Sequence, residues 1–312
     1  MTQLWIDYLN YEHGGRSDPN YFGDGGRFSF DGLVRIMKPG HWPDVLVVGE
    51  GDRWRFNGGE GMWAAARAMR RAGGPAYTPL PGSLPREAGP VAPTIFVNPQ
   101  AVEVLRWYDD RAPDFMSRNR NTLRAQIPGR PESDEFIVIA HHGDIHSGDQ
   151  RLEDARGFDR FANPDWPPCA IVGDWETPLS GPRWEPEDLN APGVYEPHSL
   201  GWRTRFQHGP AQAGPHVVDT QALDYLCGYW QDGDPVGGRV GGLGFSDVAE
   251  IEGDFTPTQI ARPNGRQSLT IDRAVLNPPA RDAYVTGSYH VHPIDQDNPG
   301  SDHARISFAL DL

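Results

Sequence analysis

The stretch "AIVGDWETPL" (residues 170–179) joins a short apolar run to two carboxylates, Asp174 and Glu176, with a tryptophan between them. The run is too short for a helix and carries the β-branched Ile171 and Val172, so it reads as a buried strand. Side chains two apart on an extended segment project the same way, which would aim both acids at one place at the strand's end. Two anions so placed need a cation, a shared proton or water.

Working outward, six further segments read as short buried strands: "QLWIDYL" (3–9), "DVLVVG" (44–49), "PTIFVN" (93–98), "FIVIAH" (136–141), "LTIDRAVL" (269–276) and "ARISFAL" (304–310). The run "CAIVGD" (169–174) is the strand that leads into the opening stretch. Between them lie helical patterns. "GEGMWAAARAMRRAG" (59–73) holds strong helix formers and ends in glycine; "GDQRLEDARGFDRFA" (148–162) spaces Leu152, Ala155 and Phe158 at helical intervals; "DTQALDYLCGYW" (219–230) opens on a capping aspartate. Strands separated by helices imply α/β layers. No repeat or dividing linker stands out, so residues 1–312 read as a single domain, with residues 177–218 and 231–268 loop-dominated.

Glycine (37) and proline (30) make up about a fifth of the 312 residues but are scattered among apolar runs, as in a loop-rich globular protein. A formal charge of −15 argues against a protein held on nucleic acid or anionic membrane by bulk electrostatics. It does not exclude a polyanionic substrate, because a bound metal inverts the local sign of a site. Cys169 and Cys227, both in apolar settings, read as reduced packing residues. With neither an export-type N-terminal segment nor a run of membrane-spanning length, the expectation is a cytoplasmic protein without membrane contact. The glycine-rich "VGGRVGGLGF" (236–245) lacks the Gly-Lys-Ser/Thr ending of a phosphate loop and follows a helix, so nucleotide binding is not assigned to it.

Acids and histidines gather at strand ends. "WIDYLNYEHGG" supplies Asn10 and Glu12, "DVLVVGEGD" Glu50, "FIVIAHHGDIH" His141 and His142, "LTIDRAVL" Asp272, and "GSDHARISFAL" Asp302 and His303. Any one of these is ordinarily a surface acid or a satisfied histidine. Together, oxygen-rich groups at the ends of several buried strands suit a hard cation such as Mg²⁺ or Mn²⁺.

In order along the chain, this set resembles the endonuclease/exonuclease/phosphatase superfamily. "LNYEHGG" looks like its Asn-x-Asp/Glu motif, "PDVLVVGE" its Asp-hydrophobic-Glu strand, "IVIAHH" its strand ending in histidine, "IVGDW" its Gly-Asp strand, "TIDRAVL" its Ile-Asp strand and "GSDHARISFAL" its terminal Ser-Asp-His strand. The resemblance spans nearly the whole chain. It implies a deoxyribonuclease I-like α/β four-layer sandwich: two packed mixed β-sheets flanked by helices, with the site at one open edge. It implies a phosphoesterase acting on a phosphodiester in DNA, RNA or a small nucleotide, with a lipid or inositol phosphomonoester as the alternative. Glu50, with Asn10 or Glu12, would hold the divalent cation, and Asp302 is a further metal candidate. Asp174 would orient or deprotonate water, and His303 would contact a phosphoryl oxygen, oriented by Asp272 or Asp302. His141 would assist at the phosphate or leaving group; a one-residue slip would give that place to His142.

One position departs from the pattern. The family usually has Asn where this chain has Glu176, and a carboxylate cannot donate a hydrogen bond unless protonated. Glu176 would therefore take a proton, recruit a cation or repel substrate, which implies altered or slowed catalysis and leaves a non-catalytic binding module as the alternative. A zinc site in "HHGDIH" (141–146) has unsuitable spacing, His290 and His292 read as an exposed or structural pair, and no Gly-x-Ser-x-Gly elbow supports a serine hydrolase. Trp184, Tyr195, Trp202 and Phe206 in the long loops would anchor those loops or stack on a base.

Overall fold

A computed structural model describes residues 3–15, 28–51, 53–83, 92–109, 121–131, 134–144, 147–183, 219–233, 237–260, 268–297 and 299–312. The first sheet contains β1 (Gln3–Leu9), β2 (Val45–Val48), β3 (Thr78–Pro81), β4 (Thr94–Val97), β13 (His290–Val291) and β14 (Ile306–Asp311), in the order β13-β14-β1-β2-β4-β3. The second contains β5 (Glu103–Tyr108), β6 (Thr122–Gln126), β7 (Phe136–His142), β8 (Cys169–Asp174), β11 (Ser246–Asp247) and β12 (Asp272–Leu276), in the order β11-β12-β8-β7-β6-β5. A separate hairpin pairs β9 (Tyr229–Gln231) with β10 (Gly238–Val240).

Both sheets are mixed, and alternation along the strands explains how they face each other. Leu4, Ile6 and Tyr8 of β1, Val45 and Val47 of β2, and Ile95 and Val97 of β4 share one apolar cluster with Leu123 and Ala125 of β6 and with the buried strands β7, β8 and β12. The intervening residues Leu9, Leu46, Val48 and Phe96 point the other way. They pack on α1 (Asp31–Met37) through Leu33 and Met37 and on α2 (Phe56–Arg71) through Met62, Ala65 and Met69. On the second sheet α3 (Gly148–Arg156) and α4 (Gln221–Cys227) pack side by side and add Ala155, Ala222, Leu223 and Leu226 to the main cluster. Two short helices, α5 (Val248–Glu252) and α6 (Pro278–Asp282), lie against β12. This is the expected four-layer sandwich. Among the described residues no helix is long and apolar enough to cross a membrane.

The apolar runs legible in the sequence coincide closely with β1, β2, β4, β7, β8, β12 and β14. In α2, positive φ at Asn57, Gly58 and Gly59 (51°, 71° and 85°) makes the helix regular only after Gly59, where the pattern begins. The 148–162 helix is shorter than its periodicity suggests. It ends at Arg156, and a separate 3₁₀ turn spans Asp159–Ala162. Asp219 caps α4 from one residue further out, its Oδ1 accepting Gln221 N at 3.2 Å. The 231–268 region, expected as loop, contains β10, β11 and α5; Asp247 caps α5 by accepting Glu250 N at 2.9 Å. Within the glycine-rich stretch, Arg239 ties the hairpin to Glu250 and Asp224, a packing role.

Candidate active site

Strand register brings the polar residues to one edge. β1 runs parallel to β2 and antiparallel to β14, so the ends of β1 and β2 meet the segment that enters β14. Ser301 Oγ donates to Asn10 O at 2.6 Å and accepts His303 N at 3.2 Å, fastening that segment to the end of β1. In the second sheet β8 runs parallel to β7 and antiparallel to β12, with Asp174 opposite both His142 and Asp272.

Two side chains then bridge the sheets. Asn10 Nδ2 donates to Glu50 Oε1 at 3.1 Å and to Asp174 Oδ2 at 3.0 Å. His303 Nδ1 donates to Asp272 Oδ2 at 2.8 Å and stands 4.0 Å from Asp174 Oδ2. Carboxylates directly opposite on paired strands repel; here the His303 imidazole stands between Asp174 and Asp272, and the Asn10 amide links Asp174 to Glu50. Asn10, Asp174, Asp272 and His303 are all buried. Burial, then the neighbouring Asp272, pushes the Asp174 carboxyl upward. Burial alone would lower the His303 pKa, but Asp272, Asp174 and Asp302 outweigh it and hold the imidazolium well above its ordinary range.

Glu176 completes the group. Its backbone N donates to Asp174 Oδ1 at 2.9 Å, a turn that places Glu176 at φ 53°, in the left-handed region. The half-buried carboxyl is pushed well above its usual range by burial and then by Asp174. The chain is thus no longer extended past Asp174, and a turn rather than strand alternation sets where Glu176 lies.

The histidine on the acids' side is not the one that the sequence favours. Register pairs His142 with Asp174, so these two share a face, whereas His141 pairs with Gly173 and turns to the opposite face. There His141 packs 4.3 Å from the Trp175 ring and 5.5 Å from Phe158, and burial, with His142 adding repulsion, lowers its pKa to about 3. His142 is half-buried, and its Nδ1 has no hydrogen-bond partner among the described residues. Glu12 is half-buried and 3.3 Å from the exposed His13 ring; its backbone N reaches Ser301 Oγ at 3.4 Å. Asp302 Oδ1 lies 3.9 Å from His303 Nε2. His290 is exposed while His292 bonds Ser307 and Arg305, away from this group. Residue 146 and the loop aromatics at 184, 195, 202 and 206 lie outside the described residues.

Asn10 Oδ1 is buried without a hydrogen-bond partner among the described residues, beside the Glu50 carboxylate, whose other oxygen accepts His13 N at 3.3 Å. An orphaned carbonyl oxygen next to a carboxylate fits a hard cation. Asp174, Asp272 and His303 form a second grouping, with ligand atoms within 4.8 Å of one another.

No protein-family model and no curated protein matches the sequence. Solved structures do match over the full length. An AP endonuclease from Archaeoglobus fulgidus superposes with TM-score 0.53 at 16% identity, over 99% of this chain and 100% of the other. An endonuclease/exonuclease/phosphatase family protein from Bacteroides thetaiotaomicron gives 0.52 at 13% identity, over 99% and 98%. The fold is that of the endonuclease/exonuclease/phosphatase proteins. A D. rerio TDP2 complexed with single-strand DNA product shares it, with TM-score 0.52 at 13% identity and 100% of both chains covered.

Within this endonuclease/exonuclease/phosphatase fold, two neighbours of His303 went unrecognised in the sequence. Ser301 sits inside the quoted terminal motif, where its small hydroxyl could have marked a turn. Gln259, whose Nε2 lies 3.0 Å from His303 Nε2, comes from a stretch with no periodicity and had no signal.

Proposed function

We propose that this chain is a divalent-metal-dependent phosphoesterase that directs water at the phosphorus of a phosphodiester, in nucleic acid or a small nucleotide. The observation that carries the reading is the convergence of strand ends from both sheets, with Asn10 tying Glu50 to Asp174 while Asp272 holds His303 beside them. The fold's occurrence in an AP endonuclease and in a DNA-product complex supports the substrate class.

Glu50 and Asn10 Oδ1 would hold Mg²⁺ or Mn²⁺, with Glu12 and Asp302 as further oxygen donors. A cation there neutralises phosphate charge and stabilises charge developing in the transition state. Asp174 has both oxygens fixed, by Asn10 Nδ2 and by Glu176 N, and orients the attacking water and takes its proton. His303, polarised by Asp272 on Nδ1, donates from Nε2 to a phosphoryl oxygen. His142, on the acids' face, assists at the phosphate or leaving group, the role expected of His141. Glu176, protonated beside Asp174, stands in for the amide usual at this position and slows or redirects the reaction. The two free, buried cysteines support a cytoplasmic setting.

A panel of DNA, RNA, nucleotides and phosphomonoesters, assayed with Mg²⁺, Mn²⁺ and chelator alongside Asp174→Ala, tests this. Hydrolysis lost on chelation and on mutation is the expected result. Activity surviving both removes the mechanism, and tight stoichiometric binding without turnover identifies a binding module instead.

A further inference from the structure

The residues around Gln259 form a short antiparallel bridge that wedges one side chain against the catalytic candidate. Gln259 pairs with both Leu269 and His303. Its N donates to Leu269 O at 2.8 Å and its O accepts Leu269 N at 2.9 Å, while Ala304 N reaches Thr258 O at 2.6 Å and Ile260 N reaches Asp302 O at 3.0 Å. The backbone is held from both sides, so the freedom that remains is rotation of the side chain. That side chain meets His303 Nε2 at 3.0 Å. Gln259 is 7% exposed and His303 4%, so the contact lies beneath the surface, where bulk water does not replace it.

A ring nitrogen makes one strong in-plane hydrogen bond, as a donor when protonated and as an acceptor when bare. A side-chain amide serves either state, offering its NH₂ to the bare nitrogen or, turned about, its oxygen to the ring N–H. Nδ1 is already committed to Asp272. Nε2 is the ring atom left for a phosphoryl oxygen, and in this structure an internal group takes it.

We propose that Gln259 is a latch on the phosphate position: its amide occupies His303 Nε2 until an anionic phosphoryl oxygen displaces it, which makes Gln259 a determinant of how tightly phosphate esters bind. This rests on the reading of His303 as the phosphoryl-contacting group. A charged acceptor makes a hydrogen bond about twice as strong as a neutral one. The latch therefore yields to phosphoryl oxygens and resists neutral carbonyl or hydroxyl ligands.

The test uses the full chain with ¹⁵N-labelled histidine and inorganic phosphate as the probe, comparing the parent with Gln259→Ala and Gln259→Glu, each checked for cooperative thermal unfolding. In the ligand-free protein the His303 Nε2 signal shifts in Gln259→Ala, because its partner is gone. Phosphate binds Gln259→Ala about three- to tenfold more tightly, the worth of one net hydrogen bond, and KM for a hydrolysed ester falls by a similar factor with a smaller change in kcat. Gln259→Glu, whose anion grips the ring N–H harder, binds phosphate more weakly than the parent. An unmoved Nε2 signal overturns the latch. So does phosphate affinity in Gln259→Ala that is unchanged, reduced or undetectable.

Phosphate binding is read without turnover, which separates the two readings. Binding in the stated pattern with no ester hydrolysed removes the phosphoesterase and leaves the latch. Hydrolysis by the parent with no tighter phosphate binding in Gln259→Ala removes the latch alone. Should Gln259→Ala fail to fold, Gln259→Met, similar in length but without donor or amide oxygen, carries the same expectations.

Discussion

Two buried polar clusters lie along β1 and the segment leading into β14, and they resolve their charge in opposite ways. On the helix-covered face, Asp7 lies 3.6 Å from Arg305 Nε and 3.7 Å from His41 Nε2. The Arg305 guanidinium also donates to Met37 O at 3.0 Å and Pro39 O at 2.8 Å, tying the end of α1 to the sheet. Three residues beyond Asp7, Asn10 opens the other cluster, where Asp174 and Asp272 face one another across paired strands and share one imidazole. The first cluster meets its anion with a permanently charged side chain and a structural job. The second concentrates carboxylates around groups that suit an incoming cation and phosphate. Burial of charge is common to both; the identity of the neutralising partner separates architecture from chemistry.

The largest expected effect breaks the two clusters apart by readout. Asp174→Asn lowers turnover about a thousandfold while thermal stability holds or rises, since one of two opposed carboxylates is gone. Arg305→Met does the reverse in kind, costing about 3–5 kcal/mol in denaturant unfolding by leaving Asp7 buried without its guanidinium. Equal stability losses in both variants would erase the contrast.

Acid sensitivity sharpens it further. His141 is kept neutral in the fold, with a pKa lowered to about 3, whereas the unfolded chain protonates near pH 6.5. Its contribution is fully present above about pH 6.5 and is lost as pH falls toward 3, at up to about 1.4 kcal/mol per pH unit. Replacing it by Phe, which suits the contacts with Trp175 and Phe158, flattens that part of a stability–pH curve. An unchanged slope would place His141 in contact with water.

Divalent metal gives the next effect. Mg²⁺ or Mn²⁺ at about a hundred times Kd stabilises the fold by roughly 2.7 kcal/mol, seen as a rise in Tm, and Glu50→Gln removes most of that rise. A full rise in Glu50→Gln would move the cation to the Asp174, Asp272 and His303 grouping. Smallest is Glu176→Asn, which replaces a left-handed glutamate with a residue that tolerates φ 53° and adds about 1 kcal/mol of stability. The same change should raise activity on at least one phosphodiester.

Much of the fold is legible because its central strands are buried on both faces. Runs such as "FIVIA" and "CAIVG" admit few other readings. Strands with weaker patterns escape notice: β5 has its first four residues exposed and β3 contains two prolines, so neither has an apolar run to read. The candidate site residues Asn10, Glu50, Asp174, Asp272 and His303 are legible for a related reason, since each stands at the end of a recognisable strand. Glu176 is legible as an anomaly, although the turn that bends it toward Asp174 is not.

The amino-acid sequence alone determined that short buried strands would end in acids, amides and histidines, because apolar runs and the polar residues that stop them are local properties. Tertiary structure alone decided that His142 rather than His141 shares a face with Asp174, and that Gln259 lies against His303. Facing depends on strand register, in which one residue reverses every side chain, and contact depends on which distant segments the packed sheets bring together.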